Sequence, residues 1–406
     1  MLISIAWKNI WRNRSRSIII MLAITLGIYG GLFILAFMQG MVKQRLSTAL
    51  NTEISYIQIH HPEYLENDDF NCYINNVNMV EGLLQDDSLI TAYSKRIIVN
   101  SMASSAETGT GVKVTGVDPE TEITVTNLHE KVVDGAYFEG VKRNPAVVGQ
   151  KLAEKMNLKV RSKIVIQFQD ANGELTAGAF RVAGIYKTTN TAFDEFNVFV
   201  DIDDLRRLTS LGEGRVHEIA LRLNKIENVP EVRTNLGDRL EDMEVLTWKE
   251  RDMMLGWMSE SMNQYMYVIM FIILLALFFG IINTMLMAIL ERVKELGMLM
   301  AVGMNKLRIF LMIMLETVLL SLTGAVLGII VGLITIAYFE KAGLDLSLWA
   351  EGYEAYGFDA VIYTTIDTNS VIMIVILVLI TGLIASIFPS RKALKLKPVE
   401  ALRTDN

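Results

Sequence analysis

The sequence is short of the residues from which catalytic and metal centres are usually built. Among 406 residues there is one cysteine, Cys72, which excludes an internal disulfide and a thiolate metal cluster. A single thiol of this kind reads as packed rather than redox-active. No Gly-Lys dipeptide occurs, so there is no Gly-x-x-x-x-Gly-Lys-Ser/Thr phosphate loop and no ATP hydrolysis by that route. The Gly-x-Ser-x-Gly elbow and the His-Glu-x-x-His helix are also missing. His60 and His61 are adjacent in a strand-like run, where they point to opposite faces and chelate one metal poorly. Glu66, Asp68 and Asp69 lack the calcium-loop spacing and read as a solvated loop. The expectation is a chain with no catalytic residue, no metal and no cofactor of its own.

What is abundant is apolar: 51% of residues are hydrophobic and the mean hydropathy is +0.34. The formal charge of −7 describes the segments between four apolar blocks. Ile18 to Met38, Met266 to Leu290, Ile309 to Phe339 and Val371 to Pro389 each satisfy the roughly 20 apolar residues that a bilayer core of about 30 Å requires. Unpaired backbone is too costly in lipid for such runs to be anything but helices. The first run has a basic front but no small-x-small cleavage site after it, and reads as an uncleaved helix.

Basic residues set the orientation. Lys8, Arg12, Arg14 and Arg16 precede the first span; Arg292, Lys294, Lys306 and Arg308 join the second to the third; Arg391, Lys392, Lys395, Lys397 and Arg403 follow the fourth. The link between spans three and four has Lys341 among Glu340, Asp345, Glu351, Glu354, Asp359 and Asp367. Both termini are expected in the cytoplasm. The expected order is a cytoplasmic amphipathic helix at 1–17, with Trp7 and Trp11 at headgroup level, and a span at 18–38. An extracytoplasmic α+β domain with stalk extensions follows at 39–265, then a span at 266–290 and a cytoplasmic coupling segment at 291–308. A span at 309–339, a short outer loop at 340–370, a span at 371–389 and a cytoplasmic tail at 390–406 complete it.

Within the α+β domain, strands are expected at Ile54 to His60, Lys95 to Asn100 and Val112 to Val117, with Ser101 to Gly111 as a loop. A helix is expected at Val147 to Leu158. A hairpin is expected at Ile164 to Tyr186, around Asp170-Ala171-Asn172-Gly173. The segment from Trp248 reads as a helix running into the second span.

Three features of the membrane part stand out. Gly324, Gly328 and Gly332 make a small-residue stripe that admits another helix, from the same chain or a second one. Glu316 sits about 10 Å into the third span at 1.5 Å per residue, where an ionisable group is costly. It is either functional or a structural acid reached by Lys306 or Arg308, and the other spans hold no acid for a proton relay. Glu291 to Gly303 reads as a short amphipathic helix, with Glu291 and Glu295 one turn apart as an acidic ridge suited to a partner's cleft.

These residues carry a resemblance. Glu291-Arg292-x-x-Glu295-Leu296-Gly297-x-x-x-Ala301-x-Gly303 resembles the coupling helix of the type VII ABC-transporter permeases. That family includes the lipoprotein-releasing permeases of the LolC/LolE type, the macrolide-exporter membrane region of MacB and the cell-division permease FtsX. Glu316 with the glycine stripe resembles the family's third span. Pro389-Ser390-Arg391-Lys392-Ala393 and Val399-Glu400-Ala401-Leu402-Arg403 resemble its ending, and Ala6-Trp7-Lys8-Asn9-Ile10-Trp11-Arg12-Asn13 its start. Gly116-Val117-Asp118-Pro119 and Val148-Gly149-x-x-Leu152-Ala153 resemble its core domain.

The resemblance implies a permease subunit in the bacterial inner membrane. Two such chains, alike or different, would sit on a cytoplasmic ATPase dimer that uses ATP and magnesium, and would transmit its closure to the outer domains. Lipids, and lipoproteins or a periplasmic protein, are the further partners implied; nucleic acid is not. The build is that of the lipoprotein-releasing permeases. The alternatives are an FtsX-like control of an envelope hydrolase and drug or peptide efflux with an adaptor. One departure is that the hairpin matching the chaperone-capturing hook ends in a compact Asp-Ala-Asn-Gly-Glu turn.

Overall fold

The computed structural model describes residues 2–12, 14–64 and 70–394. Glu66, Asp68, Asp69 and the tail motif from Val399 lie outside them. The chain divides into two compact units. One holds 1–42, Glu260–Asp345 and 361–406, the other Lys43–Ser259 and Leu346–Ala360. Four helices are long and apolar enough to cross a membrane, Arg14–Thr48, Met253–Glu291, Lys306–Ala342 and Thr368–Leu394, and most of each belongs to the first unit. Three of them outrun a bilayer core, because at 1.5 Å per residue 35 to 39 residues reach roughly 50–60 Å.

The glycine stripe packs within the chain. A Cβ on Gly324 would stand 2.9 Å from Ile24 Cβ, one on Gly328 2.9 Å from the Thr25 carbonyl oxygen, and one on Gly332 3.0 Å from Leu32 Cδ1. Thr25 Oγ1 donates to the Gly324 carbonyl at 3.0 Å, an interhelical bond that the missing side chains permit. The helix Leu2–Arg12 buries Ala6 and Ile10, while Trp7 and Trp11 are exposed.

The second unit is built on a mixed sheet. Ten strands of the described residues form it: β1 (Ile57–His60), β2 (Ile90–Ser104), β3 (Gly109–Val117), β4 (Val132–Gly135), β5 (Pro145–Gly149), β6 (Lys163–Gln169), β7 (Leu175–Tyr186), β8 (Asn197–Asp201), β9 (Glu218–Leu223) and β10 (Glu244–Thr247). Their order is β10-β1-β9-β2-β3-β8-β5-β7-β4, with β6 bridging β2 and β7.

Three expectations change here. Most of Ser101 to Gly111 is strand, because the small residues are paired on both sides: Ser101 with Val112, and Met102 with both Gly111 and Gln167. Val147 and Val148 lie in β5, between β7 and β8, and the helix is only Gln150–Lys155. Tertiary pairing has overridden a helical pattern at two β-branched residues. Gly149 is required there, since a Cβ would fall 2.0 Å from the Asp194 carbonyl oxygen. Finally, Trp248–Arg251 is a separate turn held by a Thr247/Glu250 capping box. Asp252 is extended and its Oδ1 accepts from the Leu255 amide at 2.9 Å, starting the next helix.

A buried guanidinium ties this unit together. Arg96 donates to both oxygens of Glu122 (2.6 and 3.1 Å) and to Glu218 (2.6 Å). Burial works against the Glu218 carboxylate, yet Arg96 holds it down at about 2. Asp194 is the opposite case. Burial pushes its carboxyl up to about 6, against hydrogen bonds from Thr188 and with Glu53 adding repulsion.

A raised carboxyl pKa in the folded state means the charged form is disfavoured there. The cost is absent below the unfolded value near 4 and complete above about 6. Asp194→Asn keeps an oxygen for Thr188 and removes that charge. Thermal unfolding at neutral pH should show a gain of about 1–3 kcal/mol, and the loss of stability between pH 4 and 6 should flatten.

Candidate functional site

The link between the second and third membrane helices is held by a chain of charges inside the first unit. The second membrane helix ends at Glu291. Arg292 leaves the helical conformation (φ −104°, ψ 16°) and starts a new helix, Val293–Ala301. Glu291 and Glu295 therefore do not share one helix, and the acidic ridge expected from their spacing does not form. Glu291 is exposed, at the tip of the incoming helix.

Glu295 Oε2 accepts from Arg292 Nε at 3.1 Å and also from the guanidinium of Arg12, in the N-terminal helix. Burial opposes the ionised form slightly, but these two guanidinium groups hold the Glu295 carboxyl below its ordinary range. Arg292 Nη1 meanwhile donates to both oxygens of Glu316, at 3.0 and 3.1 Å. The order of contacts is Arg12, Glu295, Arg292, Glu316. It joins the N-terminal helix to the linking helix and the linking helix to the third span. The intramembrane acid thus has its cation, and it is Arg292 rather than Lys306 or Arg308, which are both exposed at the start of that span. A polar cavity of about 220 Å³ lies between these side chains, walled by Ser17, Met285 and Leu320.

The rest of the motif is explained by packing and by a helix stop. Leu296 and Gly297 are buried, Leu296 against the apolar bundle that includes Ile289 and Ile309. Gly303 takes φ +97°, its amide donates to the Met300 carbonyl, and the Met304 amide donates to Leu299 at 2.9 Å. That is the paired-bond helix ending for which glycine is preferred. Ala301 is exposed, in the last turn before it. Asn305 then caps the third span through Leu307. On the outer side Met298 is 54% and Val302 89% exposed. With Glu291 and Lys294 also exposed, the helix presents an apolar strip edged by charge.

Neither the pairing role of Arg12 in this geometry nor that of Arg96 in the α+β unit was singled out by sequence reasoning. Arg12 was visible as one of several basic residues in front of a span and as a member of the motif Ala6 to Asn13. Arg96 carried a faint signal, a charge within the apolar run Ile97-Ile98-Val99.

Comparison with known proteins gives two family matches. Residues 17–239, more than half of the chain, match the MacB-like periplasmic core domain. Residues 267–398 match the FtsX-like permease C-terminal region. An uncharacterized ABC transporter permease of Methanocaldococcus jannaschii is 25% identical over 67% of this chain and 65% of its own. The lipoprotein-releasing system transmembrane protein LolC of Neisseria meningitidis is 23% identical over 97% of this chain and 95% of its own. The pyoverdine export ATP-binding/permease protein PvdT of Pseudomonas fluorescens is 25% identical over 99% of this chain and 59% of its own. The chain thus spans less than two thirds of the first and third of these relatives and nearly all of the second.

Removing one member of a partly buried pair leaves the other unsatisfied. Arg292→Met should therefore lower the stability of the protein in detergent by about 1–3 kcal/mol, because Glu316 is left enclosed without the guanidinium that bonds both of its oxygens. Glu316→Gln, which leaves Arg292 with Glu295 and solvent, should cost clearly less. Differential scanning fluorimetry of the two variants checks the order; equal or inverted losses would show that the pair is not what holds the link.

Proposed function

We propose that this chain, which belongs to the type VII ABC-transporter permeases, is a mechanotransmitting subunit. It would receive the work of a separately encoded ATPase at Glu291 to Gly303 and pass it to its MacB-like core domain. The observation that carries this reading is the contact order Arg12, Glu295, Arg292, Glu316. Through these contacts a force applied to the linking helix would reach the third span and the N-terminal helix. The exposed strip of Met298 and Val302, edged by Glu291 and Lys294, is the surface offered to the ATPase, with buried apolar area giving affinity and charge giving register.

In this reading both termini and the linking helix are cytoplasmic, in keeping with the basic residues around them. The core domain lies outside, in the periplasm of an inner-membrane protein, and two permease chains pair over an ATPase dimer. The chain binds no nucleotide itself; ATP and magnesium belong to the partner.

The cargo we infer is lipophilic, with lipoproteins the leading class. Two things support this. One relative matched over nearly its whole length is a lipoprotein-releasing transmembrane protein by name. An apolar groove of about 350 Å³ also runs between the first and second membrane helices, floored by Gly30 and Gly280, and could take an acyl chain laterally from the bilayer. Export of a smaller molecule is the second reading, favoured by the likeness of 99% of this chain to 59% of a pyoverdine exporter. At the tip of the β6–β7 hairpin the Asp170 amide donates to the Glu174 carbonyl at 2.9 Å. That tight closure leaves no projecting hook on this hairpin, which argues against chaperone capture through it.

The test is affinity purification of the full chain from its native membrane, with and without Glu291→Lys. Wild type should bring down a stoichiometric ATPase. Reversal of that exposed charge should cut recovery at least about tenfold, the equivalent of about 1.4 kcal/mol, with the fold unchanged by circular dichroism. Absence of an ATPase from the wild-type preparation, or equal recovery with the variant, would contradict the docking assignment. Lipoproteins or a small-molecule adaptor in the same eluate decide between the two cargo readings.

A further inference from the structure

The α+β unit contains a group of side chains outside the proposed transmission path, whose chemistry is that of a transition-metal site. The ligand atoms of His61, Glu63 and Cys72 all lie within 4.8 Å of one another. They come from two places in the chain. His61 and Glu63 follow β1 in a turn closed by the Tyr64 amide donating to the His61 carbonyl at 3.0 Å. Cys72 is held from the other side, where Ile74 pairs with Val216. The thiol is 6% exposed and packs with Tyr64 and Ile98.

His60 is not part of the group. It is fully buried, with Nδ1 on the His217 carbonyl at 3.1 Å and Nε2 3.0 Å from Gln58 Oε1. The adjacent histidines do face apart, yet His61 finds its companions from the turn and from a cysteine eleven residues on rather than from its neighbour.

We propose that His61, Glu63 and Cys72 form a zinc site, with these three as its ligands among the described residues. Thiolate, imidazole and carboxylate together make a borderline-soft donor set that suits zinc over magnesium or calcium. Bond lengths near 2.0–2.3 Å place tetrahedral ligands about 3.3–3.6 Å apart, so atoms all within 4.8 Å of one another need to close by no more than about 1.5 Å. The Glu63 amide donates to His61 Nδ1 at 3.2 Å, which ties the imidazole to the turn that carries the carboxylate. Binding releases the thiol proton to solvent and makes a Cys72–zinc bond. Glu63 is exposed, so the ion would be reached from solvent on that side. The ion clips the turn after β1 to the segment that returns to Val216. This inference does not rest on the transport reading.

The test uses the full-length protein in detergent micelles, stripped with EDTA under reducing conditions and titrated first with Co²⁺. The expected result is one equivalent bound, with a sulfur-to-cobalt charge-transfer band in the near ultraviolet and strong visible bands of tetrahedral cobalt, all abolished by Zn²⁺. Cys72→Ser should lose the charge-transfer band, and His61→Ala should weaken zinc at least about tenfold. Independently of any variant, zinc should protect Cys72 in the wild-type protein from maleimide. A weak octahedral cobalt spectrum, a charge-transfer band that persists in Cys72→Ser, or maleimide labelling unaffected by zinc would overturn the proposal.

Discussion

The membrane half of this protein depends on one guanidinium serving two carboxylates. Arg292 stands where the second membrane helix has ended and the next has not begun, and from there it reaches Glu295 on one side and Glu316 on the other. Without it a carboxylate would be enclosed near the head of the third span with no cation, a cost of several kcal/mol. With it, the break in the helix becomes a fixed corner, and Arg12 extends the corner to the N-terminal helix. The glycine stripe complements this arrangement further along the same span. There backbone meets the Arg14–Thr48 helix directly, so close packing rather than charge sets the distance.

The α+β unit repeats the device in a drier setting. Arg96 stands between Glu122 and Glu218 and joins three elements: β2, β9 and the helix Pro119–Val125. Such pairs contribute little net stability compared with apolar packing, but they are costly to break on one side, so they fix register. In a subunit that would have to move as rigid pieces, register is the property that matters. The two units reach it by the same chemistry at different depths of burial.

The spans were legible because an uncharged apolar run of that length has one stable state in lipid. Glu316 was legible for the converse reason, being the one acid where none is cheap. Its partner was not, since Arg292 sits 24 residues earlier and only the helix break at that residue aims it inward. The break also dissolved the ridge read from Glu291 and Glu295: four-residue spacing implies a shared face only where the helix is continuous. Gly303 was found by motif, and its physical reason, a positive φ at a helix stop, became visible with the backbone. In the α+β unit, hairpins marked by strong turns were readable. Val147 and Val148 were not, because neighbours distant in sequence decided between strand and helix.

The central claim is that Arg292 and Glu316 act as one unit in carrying load from the linking helix. The most direct measurement is a double-mutant cycle on the permease–ATPase complex with Arg292→Glu, Glu316→Arg and the two combined, reading ATPase activity and its response to cargo in lipid nanodiscs. The account predicts that each single reversal abolishes the response while the double reversal restores a substantial part of it, the signature of a coupled pair. If the double variant is simply as poor as the sum of its parts, the two residues act separately and the account is wrong.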